Sequence, residues 1–550
     1  MEFPVKIFLV LCFVSLHSHA IEVSTRNGVI IGSDRLRTRS GNKVIYSFTG
    51  IPYAQPPVGA LRFKEPQPLR PWRTPINATE KCPDCLQRRL FPLPSEKAAN
   101  PNKGQEDCLR INVFTPSLDI KAKLPVMLHI HGGAYKLGSA NLEPQFLLPH
   151  VVFASITYRL NVLGFATTGD GVIPANLGIK DQVMALKWIQ ENIETFGGDP
   201  NRVTVFGDSA GGSSVHLLLL SPLTKGLIHG GISSSGTAAC PWAMIDRELA
   251  ITRTKKVATL CGCPSQPSEA LLECLQKTPV DNLVESFQNF RDDFRLPLTE
   301  FAPVIEESTA KNAVLTTDPR MIKSELPWIT GLNTAEHMNY SGRFLQNVEN
   351  KNLNLTEQFD VFLNKWLSYG FNITEEEIPA VAKKIKEFYF GAGNSINKKN
   401  IKHLDLVIAD GWFLKGISDA VPFHAGPTYV YYYDYEQSDK TTFKSMIGYG
   451  VGDGKGAGHM DNILNLFPSA KRFPRRQLSP LDMETSKNMV SLWTRFAKYG
   501  NFTSDEWEPL NKKSNSIKNL HISAAGLVQE EDLLKERANF WKFLNKNILV

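Results

Sequence analysis

The chain is 550 residues long, 42% of them apolar, and carries a formal net charge of +6. Length and apolar content suffice for a large buried core, and so small a charge on a chain of this size excludes the strongly basic character of a nucleic-acid-binding protein. The basic cluster Lys471-Arg472 and Arg475-Arg476 is broken by Pro474 and reads as a solvated loop.

At the N-terminus Lys6 precedes an apolar run, Ile7 to Leu16, and then Ser18-His19-Ala20. Spanning a bilayer takes about 20 apolar residues. The shorter run with a small-x-small site predicts a signal peptide over 1–20 and a mature chain from Ile21. The terminal Asn547-Ile548-Leu549-Val550 is no ER-retention signal, and no glycolipid-anchor tail precedes it. A soluble, secreted, extracellular protein without a membrane anchor is expected. No linker or repeat divides residues 21–550, which read as one domain with long insertions. With Cys12 in the signal, seven cysteines remain, so at least one is free or paired between chains. Sequons at Asn77, Asn339, Asn354, Asn372 and Asn501 predict glycosylation.

Strand and helix signals alternate from there on. Leu124 to Ile130 reads as a buried strand ending at His131-Gly132-Gly133, and Val151 to Thr157 as another. Lys180 to Phe196 has helical apolar spacing and stops at Gly197-Gly198. Val203 to Phe206 is a short strand, and Gly212 to Leu220 a helix. Ile232 to Ser235, Trp328 to Gly331 and Thr428 to Tyr433 are further strands. This alternation predicts an α/β protein with a large, mostly parallel central sheet covered by helices.

Between the Val203 strand and the following helix lies Gly207-Asp208-Ser209-Ala210-Gly211, a Gly-x-Ser-x-Gly elbow in the strand-to-helix context that gives the motif meaning. A serine at so sharp a turn needs glycine two residues away on each side, and the helix N-terminus favours negative charge developing there. Such a serine requires oxyanion donors. His131-Gly132-Gly133-Ala134 ends an earlier strand, and the amides of Gly133, Ala134 and Ala210 are assigned to that role. It also requires a base. Of the downstream histidines, His459 sits in Gly456-Ala457-Gly458, a loop suited to presenting a side chain. The order serine, acid, histidine asks for an acid that ends a strand between Ser209 and His459; Glu336, a short turn after the Trp328 strand, is a candidate, though a lone glutamate after a strand is a weak signal by itself.

At these motifs the chain resembles the type-B carboxylesterase and cholinesterase family, and within it the arthropod secreted carboxylesterases. The resemblance runs from Val23 to Leu544 and is carried by Gly50-Ile51-Pro52-Tyr53-Ala54-Gln55-Pro56-Pro57-Val58-Gly59, Leu61-Arg62-Phe63, Glu106-Asp107-Cys108-Leu109, the His131 loop, Asp181-Gln182, Phe206 to Gly212 and Gly456 to Asp461. It implies the α/β-hydrolase fold, hydrolysis of small-molecule carboxylic esters through an acyl-enzyme, no metal or other cofactor, and Ser209, Glu336 and His459 as the triad. It also implies disulfides Cys85–Cys108 and Cys263–Cys274, a buried free thiol at Cys240, and buried ion pairs Arg62–Glu106 and Arg159–Asp181. Cys82 and Cys261 have no counterpart in it.

Three positions depart from the family pattern: Ala134 for glycine, His337 for glycine after the acid, and Asn462 for an acidic residue. No tryptophan lies between Cys85 and Cys108, so the cation–π partner of a choline ester is missing. Asp208, counted with the substrate-side residues, stands where juvenile-hormone esterases usually carry glutamine. Trp242 is expected to line the acyl pocket with Phe301; both also fit as core aromatics. A juvenile-hormone- or pheromone-type esterase is an alternative within the class. A non-catalytic cholinesterase-like adhesion or binding protein is the alternative outside it, although such proteins typically lose the serine or histidine.

Overall fold

The structure, a computed structural model, describes residues 20–38, 43–89, 101–142, 144–148, 150–336, 339–371, 373–393, 395–439, 442–447, 455–467, 473, 476–514 and 516–546. The expected signal segment up to residue 19, His337, Asn372 and most of the Lys471–Arg476 cluster lie outside them.

Fifteen strands are described. In chain order they are β1 Ala20–Thr25, β2 Gly28–Arg37, β3 Val44–Pro52, β4 Ile76–Asn77, β5 Gln87–Arg88, β6 Asn102–Lys103, β7 Arg110–Thr115, β8 Leu124–Ile130, β9 Val152–Ile156, β10 Gly198–Asp208, β11 Gly230–Ser234, β12 Trp328–Asn333, β13 Thr428–Tyr433, β14 Asn519–Ser523 and β15 Gly526–Glu530. Apart from the small β5–β6 pair they form one sheet, ordered β1-β2-β3-β7-β9-β8-β10-β11-β12-β13-β14-β15 with β4 beside β2. The run from β9 through β14 is parallel. The first strands and the last pair are antiparallel.

The strand period of two places neighbouring residues on opposite faces. Val205 joins one core layer and Phe206 the other; Val430 joins the first, while Tyr429, Tyr431 and Tyr433 join the second. With both faces covered, the parallel strands read as near-continuous apolar runs, which is why they stood out in the sequence. The helix Leu177–Asn192 (α2, after the short α1 at Asn161–Phe165) ends through a 3₁₀ turn at Gly197, whose φ of 74° is the left-handed stop expected of glycine. Ala210–Leu220 (α3) is buried along its whole length, so it runs through the core rather than over it.

Candidate active site

Strand β10 ends at Asp208 and α3 starts at Ala210, so the turn between them is the single residue Ser209. Its φ of 57° and ψ of −124° lie in a region that side-chain-bearing residues avoid. Two hydrogen bonds hold it there. Its amide donates to the Ser234 carbonyl on β11 at 2.8 Å, and its carbonyl accepts from the Ser213 amide at 2.9 Å. A Cβ on Gly207 would lie 2.4 Å from the Ile130 carbonyl oxygen and 2.7 Å from the Gly211 carbonyl carbon; one on Gly211 would lie 2.1 Å from that same Ile130 oxygen. The glycines are needed, as expected, but the obstacle is the end of β8 as much as the two residues themselves.

The chain leaving β8 turns over Ser209. A Cβ on Gly132 would sit 3.1 Å from the Ser209 Cβ. The next three residues have φ values of 111° (Gly133), 53° (Ala134) and 56° (Tyr135). Among the described residues, the amides of Gly133 and Ala134 have no protein acceptor. His131 stacks on Tyr158 with ring centroids 4.5 Å apart, and its Nδ1 lies 2.9 Å from the Gly132 carbonyl oxygen. Burial pushes its pKa down to about 4, so at neutral pH the ring is uncharged and its Nδ1–H donates to that carbonyl. Asp208 is buried, 3.3 Å from Nε2 of His129.

Glu336 and His459 are 123 residues apart in sequence, yet Oε2 of one lies 2.5 Å from Nδ1 of the other. The other carboxylate oxygen accepts from the Ser235 hydroxyl at 2.5 Å and the Asn333 amide at 2.6 Å. The turn after β12 and the histidine loop are stitched together directly. The Ala335 amide donates to Ala457 O at 2.8 Å, the Ala457 amide to Thr334 Oγ1 at 2.8 Å, and Asn333 Nδ2 to Gly458 O at 2.6 Å. The Phe413 ring packs 4.9 Å from the His459 ring. Both Glu336 and His459 are nearly closed to solvent.

Trp242 lies on the same side. Its indole N–H donates to Trp412 O at 3.0 Å, and its ring is 5.8 Å from Phe413. It reaches within contact range of Gly236, where a Cβ would be 3.1 Å from Trp242 Cη2 and 2.2 Å from the Ser209 carbonyl oxygen. It also lines a cavity of about 470 Å³ together with Pro297, Thr299, Trp366, Tyr369 and Trp412. Phe301 is a buried aromatic packed edge-on against Phe290 at 5.7 Å.

The profile described as the carboxylesterase family matches residues 19–541. The chain is 37% identical to Esterase FE4 of Myzus persicae, over 91% of this chain and 89% of that one. It is 34% identical to the juvenile hormone esterase of Tribolium castaneum, over 94% and 92%. Among solved structures it superimposes on the juvenile hormone esterase of Manduca sexta, with OTFP covalently attached, at a TM-score of 0.82 and 26% identity, covering 96% of this chain and 99% of that one. The chain belongs to the carboxylesterase family. It is an α/β-hydrolase and a carboxylic ester hydrolase.

The esterase has the two disulfides implied by the resemblance, Cys85–Cys108 and Cys263–Cys274. Among the described residues Cys82, Cys240 and Cys261 are free; burial pushes the Cys82 and Cys240 thiols up to about 12, which leaves them inert. Arg62 grips Glu106 with two bonds of 2.7 Å, and Arg159 holds Asp181 at 2.8 and 2.7 Å. Of the departures, Asn462 is buried between Asn333 and Tyr431, 3.2 and 3.3 Å away. Ala134 occupies a left-handed conformation that favours glycine. Asn77, Asn354 and Asn501 are exposed, whereas Asn339 is half-buried. No helix among the described residues is long and apolar enough to cross a membrane, and none of their His, Cys, Asp and Glu side chains form a group of three or more able to hold a metal. Sequence reading missed Ser235, Asn333 and Phe413 around Glu336 and His459. None lies in a motif, and each reaches the site only through the packing of β11, β12 and the 410–414 segment.

Proposed function

We propose that this carboxylesterase works by two-step acyl transfer, with Ser209 as nucleophile, His459 as base and Glu336 as the group that orients and charges the base. The observation that supports this best is the 2.5 Å contact between Glu336 and His459, combined with the one-residue elbow at Ser209. His459 takes the Ser209 proton as the oxygen attacks the ester carbonyl. Glu336 fixes the tautomer with Nδ1–H and stabilises the imidazolium. The amides of Gly133, Ala134 and Ala210 receive the oxyanion. The imidazolium returns its proton to the leaving alcohol, and water then cleaves the acyl-enzyme by the same route. Trp242 lines the acyl side. Asp208, buried under the Gly132 turn, is the residue assigned to the substrate side next to the nucleophile.

The signal-like segment 1–20, the two disulfides and the exposed sequons support secretion of a single glycosylated domain. A juvenile-hormone-type specificity is the second reading, favoured by relatives bearing that name. Asp208 in place of the usual glutamine counts against it.

The deciding experiment is Ser209→Ala. The variant is expected to be secreted with an unchanged thermal midpoint and to hydrolyse no ester in a panel varying acyl and alcohol size. Turnover above a few per cent of wild type would remove Ser209 from the mechanism.

A further inference from the structure

Lys136, two residues beyond Ala134, is buried in a charged cluster that the mechanism above does not use. Its ammonium lies 3.0 and 2.9 Å from the two oxygens of Glu300 and 2.5 Å from the Leu298 carbonyl. The side chains are 5% and 0% exposed. Arg291 Nε approaches the same carboxylate at 2.8 Å, and the Arg253 guanidinium donates to the Glu300 carbonyl. One residue before Glu300, the Thr299 hydroxyl donates to the Trp242 carbonyl at 2.7 Å.

The loop that Lys136 closes holds three consecutive residues at positive φ, two of them bearing side chains. Such a conformation persists only where its surroundings over-determine it. Its internal bonds, from the Lys136 and Leu137 amides to Gly133 O at 3.0 and 3.1 Å, shape the turn but do not fix it to the body of the protein. Two contacts do. The Asn161 amide donates to Tyr135 O at 2.7 Å on one side, and the Lys136 ammonium docks on Glu300 on the other. A desolvated ammonium has no alternative partner in water, so the loop cannot shift without separating two buried charges.

We propose that Lys136 and Glu300 are positioning residues: their ion pair sets the Gly133 and Ala134 amides where the oxyanion forms and, through Thr299, ties them to Trp242 on the acyl side. The proposal rests on the reading of Gly133 and Ala134 as oxyanion donors. A donor displaced by a fraction of an ångström still admits substrate but stabilises the developing charge less.

The test is Lys136→Met in the full chain, assayed per titrated active site with a chromogenic short-chain ester and with a trifluoromethyl ketone. The ketone accepts the serine oxygen at its carbonyl carbon, giving a tetrahedral oxyanion while the serine proton passes to His459. The turnover number is expected to fall at least about thirtyfold, with KM within about threefold and ketone affinity falling as kcat/KM does. A merely structural role would lower the thermal midpoint and the yield of active sites, leaving kcat per site and ketone affinity unchanged. If Lys136→Met does not reach the medium, Glu300→Gln, which keeps the volume, is read the same way. A folded variant with kcat and ketone affinity both within threefold of wild type overturns the proposal. If that happens while Ser209→Ala is inactive, only the positioning role falls; an active Ser209→Ala would remove the site reading beneath it.

Discussion

The hydroxyl of Ser235 donates to Glu336 at 2.5 Å, on the carboxylate oxygen that does not face His459. The Asn333 amide binds the same oxygen. With these donors on Oε1, the carboxylate cannot rotate away from the imidazole without leaving them unpaired.

On the proposed mechanism, Glu336→Gln is therefore expected to reduce the acylation rate at least about a hundredfold, because it would remove the charge assigned to stabilising the imidazolium and allow the wrong tautomer. Ser235→Ala leaves the charge in place and loosens its aim, so the loss should be smaller, about three- to tenfold. Single-turnover acylation with a short-chain ester, beside a thermal melt, measures both. A folded Glu336→Gln variant with a near-normal rate would exclude this carboxylate from the triad, and Ser235→Ala slower than Glu336→Gln would invert the assigned roles.

The elbow gives a prediction about stability. Gly211→Ala would drive a methyl group to 2.1 Å from the Ile130 carbonyl, a backbone clash that no side-chain rotation relieves. A loss above about 3 kcal/mol, or failure to secrete folded protein, is expected. Gly171, unlike the helical Gly211, has a positive φ, 85°, but nothing lies within 4 Å of its Cβ position, so Gly171→Ala should cost only about 1 kcal/mol. Urea midpoints of the two variants compare these causes directly. Equal losses would mean that the close approach of β8 to Gly211 costs no more than the strained φ of Gly171, and would contradict the clash.

Acid should weaken the fold before the carboxylates titrate. Burial holds His131 and His424 down to about 4 and His216 to about 3, against about 6.5 in an unfolded chain. Between those values the unfolded chain binds more protons, so the stability due to these rings is complete above pH 6.5 and lost as pH falls towards 4. Each ring should remove on the order of 1 kcal/mol per pH unit across that window. Calorimetric melts at pH 7, 6 and 5 should show a falling midpoint, with a shallower fall in His424→Gln, whose amide can still donate to Leu326 O as His424 does at 2.7 Å. A midpoint unchanged from pH 7 to pH 5 would contradict this.

How much of this was legible in the sequence follows from how local each signal is. The Ser209 elbow stood out because strand, turn and helix occupy one continuous stretch. Helix α2 was read from Lys180, but it begins at Leu177, since Asn176 enters in a left-handed conformation without a side-chain cap. Strand β10 was read as Val203 to Phe206 but starts at Gly198, where a polar stretch pairs with Leu124 across an irregular register. The antiparallel strands β1 to β3 went unread: one of their faces is only partly covered, which dilutes the apolar run that marks a central strand. Lys136 and Glu300 could not have been paired from sequence. They are 164 residues apart, and a lone lysine in a glycine-rich loop ordinarily faces water.

The turn after β12 and the histidine loop are sewn to one another by a backbone bond from Ala335 to Ala457, by the side chains of Thr334 and Asn333 on the backbone of the histidine loop, and by the side-chain contacts Asn333–Asn462 and Glu336–His459. Glu336 and His459 are thus held as one mechanical part, while Ser209 is held separately by its amide bond to Ser234 O on β11. Trp242 is not insulated from that part: its ring packs 5.8 Å from Phe413, whose ring lies 4.9 Å from that of His459, so a change of shape around Trp242 reaches the imidazole through one shared aromatic side chain.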